Sequence, residues 1–166
     1  MATETTKPWY VYVVCDDISG TGNVYTGCTN RPQHRLEAHR GRRSGGARRT
    51  SQWATEAQMV ILIGPLIDDT GKVRSKSLAL SFERAYKLCR AGPCGGIRGR
   101  CLALYKLLHS PTGKIGRQVV LRHCLSRMRI KTVLTRTEFA WACTTATVRD
   151  PVLSVKLFEF GCPRLP

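Results

Sequence analysis

The pattern of apolar and polar residues predicts a small sheet in the first part of the chain. Residues 9–15 (WYVYVVC) are aromatic and β-branched, as is typical of a strand. A loop rich in Asp, Ser and Gly follows, and residues 23–27 (NVYTG) form the predicted returning strand. The apolar run of residues 58–63 (QMVILI) predicts a third strand, buried in the core.

A first helix is predicted between the second and third strands. Thr29 or Asn30 can cap it, Pro32 stands in its first turn, and it runs to about Arg40. Leu36 is its only strongly apolar residue, so we expect this helix to expose most of its surface.

A second helix is predicted over residues 75–90, where Leu78, Phe82, Ala85 and Cys89 fall on one apolar stripe. These elements together predict an α/β fold of the α+β type. Its centre is a small three-stranded sheet, mixed or antiparallel, which helices flank.

Four glycines and a proline within residues 92–99 predict a boundary. It separates a domain over residues 1–91 from a basic helical extension over residues 92–166, which we expect to pack on that domain rather than fold independently. The extension is predicted to contain two helices and a last extended segment, at residues 100–109, 115–135 and 152–160.

Positive charge is the strongest feature of the composition. The 166 residues include 27 Lys or Arg and 11 Asp or Glu, which leaves a net charge of +16. Residues 31–49 hold seven arginines and one acid, and residues 84–137 hold thirteen Lys or Arg and no acid. Because the planar fork of arginine matches phosphate oxygens in pairs, these clusters favour a polyanionic partner, most often nucleic acid.

A basic protein with no specific partner is the main alternative, although a merely solvated surface would mix the two signs of charge. An anionic membrane ranks below both, since no segment is a basic amphipathic helix with a bulky aromatic face. No stretch is apolar enough to cross a bilayer, and the polar N-terminus is a poor secretory signal, so we expect an intracellular protein without a membrane partner. Eight cysteines without C-x-x-C spacing indicate thiols rather than a zinc site.

Two basic stretches are the predicted contact surface for DNA. One is the glycine- and arginine-rich segment after the first helix, and the other is the basic helix predicted over residues 115–135. The residues expected to contact DNA are Arg31, Arg42, Arg43, Arg48, Arg49, Thr50, Arg117, Arg122, Arg127, Arg129 and Lys131.

Four polar residues in the first part of the chain are candidates for catalysis. Tyr12 and Tyr25 lie on the two strands that are predicted to pair, and Arg35 and His39 lie four apart, on one face of the first helix. Each has a simpler explanation when it is taken singly. The tyrosines suit strands with solvated hydroxyls, and the other two suit an exposed helix face and a helix C-terminus.

Glu83, at the edge of the apolar stripe of the second helix, is the only acid between residues 69 and 138. A lone carboxylate in a basic protein can hold a divalent cation against a phosphate. The alternative is a surface glutamate paired with Lys87 at i+4, and helix spacing alone favours it.

In this order, the five residues resemble the site of the GIY-YIG nuclease family. The first motif of the family resembles residues 10–12 (YVY), and the second resembles residues 25–27 (YTG). The arginine of the family, ten positions after the second tyrosine, falls on Arg35. The helix-end histidine falls on His39, and the metal-binding glutamate falls on Glu83 in LALSFERAYK.

Within that family, the chain most resembles the Slx-type catalytic subunit of structure-selective endonucleases. The segments GRRSGGARRTS and ALSFERAY carry this likeness. Such subunits also have a C-terminal zinc-binding RING-like module, whose ligand spacing is absent from this sequence. We therefore expect no zinc. The resemblance implies an activating scaffold protein as partner, and the missing ligand spacing argues against it.

The resemblance implies the roles of the site residues. Glu83 would hold one Mg²⁺ or Mn²⁺, and Arg35 would clamp the phosphate oxygens. Tyr12 or Tyr25 would orient or deprotonate the attacking water, and His39 would bind a tyrosine or a phosphate.

The implied function is a metal-dependent, structure-selective endonuclease that hydrolyses phosphodiester bonds in branched double-stranded DNA. Its substrates would be flaps and Holliday junctions that arise in DNA repair, recombination or replication. The resemblance and the charge together imply a nuclear location or one at sites of DNA replication. The alternatives are a non-catalytic basic nucleic-acid-binding protein and a sequence-specific GIY-YIG nuclease.

Overall fold

A computed structural model describes seven ranges of the chain, residues 7–16, 22–53, 57–64, 76–89, 95–109, 130–132 and 158–160. The strands are β1 (Tyr10–Cys15), β2 (Val24–Thr29), β3 (Gln58–Ile63), β4 (Ile130–Thr132) and β5 (Phe158–Phe160). The helices are α1 (Pro32–His39), α2 (Lys76–Leu88) and α3 (Gly96–His109), and a short 3₁₀ turn spans Arg48–Thr50.

The strands form one sheet in the order β2-β1-β3-β4-β5. The first three are antiparallel, with β1 between β2 and β3, which confirms the predicted three-stranded sheet flanked by helices. Two three-residue strands extend it, β4 antiparallel to β3 and β5 parallel to β4. Every residue of β1 is buried, because β1 has a strand on either side and helices on both faces.

The two faces of the sheet carry separate cores. Val11, Val13 and Cys15 lie on the face covered by α2 and α3, and the alternate residues of β1 lie on the face covered by α1. A register shift in the pairing of β1 with β3 leaves Val60 opposite no residue of β1, so Val60 and Ile61 both point into the α2–α3 core.

Helix α1 begins one residue later than a cap at Asn30 would place it, and two residues later than a cap at Thr29 would. Arg31 is the N-cap and makes no side-chain capping bond, whereas Thr29 Oγ1 accepts from the backbone N–H of Arg31 at 3.1 Å. The expectation that α1 exposes most of its surface was wrong. Half of its residues are buried, because Ala38 and His39 pack inward together with Leu36.

Helix α3 begins at Gly96, inside the segment where a boundary was predicted, and Gly96 has a φ of +61°. Arg100 joins it to α2: Nη1 donates to the carbonyl of Tyr86 at 3.2 Å, and Nη2 donates to that of Cys89 at 3.4 Å. Tyr86 Oη in turn donates to the carbonyl of Arg100 at 2.7 Å. The first helix beyond residue 91 thus shares a core with α2, while the domain boundary itself stays a prediction.

The predicted basic helix over residues 115–135 was wrong at residues 130–132, which form β4. β-branched Ile130 and Thr132 alternate with Lys131, and β3 offers backbone groups with which they pair. Lys131, predicted to bind DNA from a helix, therefore lies on a strand. Its predicted companions Arg117, Arg122, Arg127 and Arg129 lie outside the described residues. Among the helices of the described ranges, none combines the length and the apolar character needed to cross a membrane.

Candidate active site

The site lies along β2, which ends the sheet in the part of the chain that the structure describes. Tyr12 of β1 pairs with Gly27 of β2, and the Tyr12 hydroxyl lies over the glycine. A Cβ atom at Gly27 would stand 2.5 Å from Tyr12 Oη, closer than real Cβ contacts allow. Glycine at this position is therefore required for Tyr12 to occupy the site.

Tyr12, His39 and Thr50 form a buried chain of hydrogen bonds. Tyr12 Oη lies 2.8 Å from His39 Nε2, and His39 Nδ1 lies 2.7 Å from Thr50 Oγ1. Thr50 donates its single hydroxyl hydrogen to the carbonyl of Ala47 at 2.9 Å, so it accepts from His39. His39 Nδ1 therefore carries the proton, and the bare Nε2 accepts the hydrogen of the Tyr12 hydroxyl.

Arg35 links this chain to the second tyrosine and to the loop after α1. Its Nε donates to Tyr12 Oη at 2.9 Å, and its Nη1 donates to the carbonyl of Gly45. The Tyr25 phenol also lies close enough to this guanidinium to help raise its pKa. Two hydrogen-bond partners therefore hold one positive charge beside two phenol groups.

Burial determines the protonation of this cluster. Tyr12 has 0% of its surface exposed, and burial raises its pKa well above the ordinary value, which the hydrogen bond from Arg35 offsets only in part. Burial, and then the charge of Arg35, lower the pKa of His39 to about 4. Tyr12 and His39 are thus neutral at pH 7, which agrees with the hydrogen positions deduced from Thr50.

Tyr25 lies between the Tyr12–His39 pair on one side and Lys87 of α2 on the other. Its ring centroid is 5.2 Å from that of His39 and 6.4 Å from that of Tyr12. On the other side, the ammonium of Lys87 lies 5.4 Å from the centre of the Tyr25 ring. Tyr25 is only partly buried, so its phenol is open to solvent in a way that the phenol of Tyr12 is not.

Glu83 lies on α2 and faces the same edge of the sheet. Lys87 Nζ donates to Glu83 Oε1, and the carboxylate side chain is only 14% exposed against 44% for the lysine. Burial, followed by a hydrogen bond to Glu83, raises the pKa of the Cys28 thiol to about 12. The sequence suggests, as the alternative to a metal ligand, a surface Glu83 paired with Lys87. The pair does form, but it lies beside Tyr25.

The geometry brings Tyr12, Tyr25, Arg35 and His39 into contact and places Glu83 next to them across Tyr25. A family model of the GIY-YIG catalytic domain matches residues 8–89, a range that holds all five residues. Residues 8–89 form a GIY-YIG catalytic domain. Such a domain indicates nuclease activity, with DNA as substrate, and GIY-YIG nucleases generally use divalent metals. A comparison with curated proteins finds no match.

The GIY-YIG site fits a hard divalent cation that is shared with a substrate phosphate. In the described residues no group of three or more His, Cys, Asp and Glu side chains is arranged to hold a metal ion. Mg²⁺, however, typically takes only one or two carboxylates and completes its shell with water and phosphate oxygens. Glu83 supplies one such carboxylate beside the phenol of Tyr25.

The arginine-rich loop of the GIY-YIG domain is tied to the site rather than independent of it. Arg35 holds the carbonyl of Gly45, and a Cβ at Gly46 would stand 2.5 Å from the carbonyl of Ala38. Arg42 donates to Glu37 at 3.2 Å, and the carboxylate partly neutralises the charge of Arg42. The predicted DNA-binding arginines of this region are exposed, namely Arg31, Arg42, Arg43, Arg48 and Arg49.

Thr50 was wrongly predicted to contact DNA. It is fully buried and accepts from His39, so it positions the imidazole and does not reach the surface. No local pattern could have shown this, because Thr50 lies eleven residues beyond His39 in a loop. Nothing in the sequence indicated that Cys28 lies beside Glu83. The i+4 spacing of Lys87 from Glu83 did indicate that these two residues pair.

A groove of about 510 Å³ lies where the start of β1 meets the start of α1, and none of the five site residues lines it. Its lining surface is mostly apolar, with Arg31 and Arg43 among the charged residues, and it includes Tyr10, which stands where the family's first motif has glycine. The lining residues are Pro8, Tyr10, Asn30, Arg31, Pro32, Gln33, His34, Glu37 and Arg43.

Proposed function

We propose that this protein is a metal-dependent, structure-selective DNA endonuclease that cuts branched DNA at flaps and junctions during repair, recombination or replication. The observation that carries the proposal is the position of Arg35. Its guanidinium donates to Tyr12 and lies beside Tyr25, and it also holds the carbonyl of Gly45 in the arginine-rich loop. Glu83 lies on the other side of Tyr25, where it pairs with Lys87. This arrangement supplies a phenol, a fixed cation and a carboxylate around one point where a phosphodiester can bind.

Tyr25 is the residue that orients the attacking water and takes its proton in this proposal. It is partly exposed, so water can reach its phenol, and the guanidinium of Arg35 lies beside it. Tyr12 is enclosed and keeps its own proton because burial raises its pKa. Tyr12 and His39 are therefore positioning residues, which hold Arg35 at the correct distance from Tyr25.

Arg35 stabilises the negative charge that develops on the non-bridging phosphate oxygens. Because its partners fix it before the substrate arrives, little reorganisation is needed, and such a fixed donor is worth about 3 kcal/mol of barrier. Glu83 would hold Mg²⁺ or Mn²⁺, which when bound polarises a phosphate oxygen and supports the leaving oxygen.

The exposed arginines around the loop would hold the DNA backbone, and the basic stretch at residues 115–136 would hold a second arm. Backbone contacts carry little sequence information, so selectivity would come from the bend or branch that lets two arms reach two basic regions. Binding should weaken steeply as the salt concentration rises. The resemblance to Slx-type subunits supports a nuclear location or one at replication sites.

The test is cleavage of end-labelled 5′-flap, four-way-junction and linear duplex DNA with Mg²⁺ or Mn²⁺. We expect the wild type to cut branched DNA in preference to linear duplex. Arg35→Ala should lower the rate by roughly 10²- to 10³-fold, as for loss of a fixed charge-stabilising donor, and Glu83→Gln should be at least as severe. Both variants should still bind DNA, because the exposed arginines remain.

Glu37→Gln and Arg84→Ala are the matched controls, since they make the same chemical changes on α1 and α2 away from the cluster. They should keep near wild-type cleavage. Defined cuts in linear plasmid would favour a sequence-specific nuclease instead. Equal binding of all three DNAs without cutting would favour a non-catalytic binder, unless addition of a scaffold partner restores cleavage.

A further inference from the structure

The lysine on α2 occupies a place where a cation would bind. Lys87 Nζ contacts Glu83 Oε1 and lies over the ring of Tyr25, between the carboxylate and the phenol. An i,i+4 pair of this kind usually lies on an exposed helix surface. Here the carboxylate is only 14% exposed, so the lysine provides much of its neutralisation inside the site.

An ammonium and a divalent cation compete for one carboxylate. Both are attracted by the same charge, and their mutual repulsion at a separation of a few ångströms is large where water is partly excluded. The lysine is on a flexible stem and 44% exposed, so it can leave the carboxylate without unfolding the helix. A metal ion at Glu83 would therefore require Lys87 to move.

We infer that Lys87 is a built-in counter-ion of Glu83, which a divalent cation must displace and which couples metal binding to DNA binding. This rests on the proposed function, because it takes Glu83 as the metal-binding carboxylate. A DNA phosphate offers the displaced ammonium a new anionic partner beside the site. DNA thereby releases Glu83 for the metal, and without DNA the lysine keeps metal affinity low.

The first experiment measures metal binding directly. Purified full-length protein without DNA is titrated with Mn²⁺, and free Mn²⁺ is followed by electron paramagnetic resonance. Lys87→Met removes the ammonium and keeps a long helix-forming side chain. We expect it to bind Mn²⁺ roughly fivefold more tightly than the wild type, near the lower end of typical coupling between two sites.

Two further variants make the result specific. Arg84→Met removes the same charge from the same helix but leaves the pair intact, so its affinity should stay within about twofold of wild type at physiological salt. Glu83→Gln should lose Mn²⁺ binding. Unchanged or weaker binding by Lys87→Met, or an equal gain in Arg84→Met, would overturn the inference while the metal site stands. Wild-type binding by Glu83→Gln would overturn the metal site itself.

The second experiment measures the coupling. The affinity for fluorescein-labelled flap DNA is determined by anisotropy at constant ionic strength, with Ca²⁺ or with EDTA. Because coupling is reciprocal, the ratio of the two dissociation constants reports how strongly DNA and metal support each other. The ratio should be smaller for Lys87→Met than for wild type and Arg84→Met, and an equal ratio in all three would contradict the coupling.

Discussion

The α1 side of the active site and its α2 side satisfy their polar groups in different ways. On the α1 side, Tyr12, His39 and Thr50 are fully buried, and their hydrogen bonds end within the protein at the carbonyl of Ala47. On the α2 side, Glu83 is neutralised by a lysine that is half exposed and flexible. One side is complete before a ligand arrives, and the other holds a partner that a ligand can replace.

This difference has an energetic basis. Loss of one partner in a buried hydrogen bond leaves the other unsatisfied, at a cost of about 1–3 kcal/mol. The lysine of the Glu83–Lys87 pair is 44% exposed, so water and salt can replace part of what it supplies to the carboxylate. The α1 side therefore resists rearrangement and can position Arg35, while the α2 side can exchange a lysine for a metal ion at small cost.

The largest expected contrast is between the two tyrosines. Tyr25→Phe should lower kcat for branched DNA by about 10²- to 10⁴-fold, the usual contribution of a general acid or base, with little change in thermal stability. Tyr12→Phe should lower stability instead, by about 1–3 kcal/mol, because Arg35 Nε and His39 Nε2 lose a buried partner.

Urea unfolding and single-turnover kinetics on both variants measure the two effects. The outcome that would contradict this prediction is an exchange of the proposed roles of the two tyrosines. If Tyr12→Phe lost more activity than Tyr25→Phe at equal stability, Tyr12 would be the base and the α1 side would not be merely structural.

The next largest effect is the pH dependence of stability. His39 has a pKa near 4 in the folded protein against 6.5 when unperturbed, so the unfolded chain binds its proton more readily. The stabilisation is fully present above pH 6.5 and is lost as the pH falls through 4. The total loss is about 3 kcal/mol at 1.36 kcal/mol per pKa unit.

Urea unfolding between pH 7 and pH 4 measures this loss. His39→Gln should flatten the dependence, whereas His34→Gln, an exposed histidine on the same helix, should keep it. An unaltered profile in His39→Gln would mean that the α1 side does not hold a neutral imidazole.

The smallest expected effect is that of Thr50→Val, which keeps the shape but removes the acceptor for His39 Nδ1. The free energy of unfolding should fall by about 1–2 kcal/mol, and the imidazole should lose its fixed tautomer. The ¹⁵N chemical shifts of the His39 ring detect the tautomer. The control is Thr26→Val, because Thr26 is also buried but lies on β2, and it should leave these shifts unchanged.

Periodicity predicted the elements that surround the site. The ends of β3 fall where the apolar run begins and stops, and the stripe on α2 holds Phe82 and Ala85 in the core as expected. These predictions succeed because burial of both faces requires a continuous apolar run in β3, and burial of one face imposes a short repeat on α2. The basic stretch at residues 130–132 was misassigned because its structure depends on pairing with β3, some seventy residues earlier.

The amino-acid sequence by itself determined the core of the sheet, the shared face of Arg35 and His39, and the motif spacing of a GIY-YIG domain. The core of each strand and the shared helix face depend on residues close together in the chain, and the motif spacing is a property of the chain order itself. The tertiary structure alone decided that Thr50 orients His39, that Tyr12 is enclosed while Tyr25 is open, and that the Glu83–Lys87 pair lies beside Tyr25. Those contacts join residues that are far apart in the chain, and they form only when the elements and loops pack together at the edge of the sheet. Local sequence patterns do not predict them.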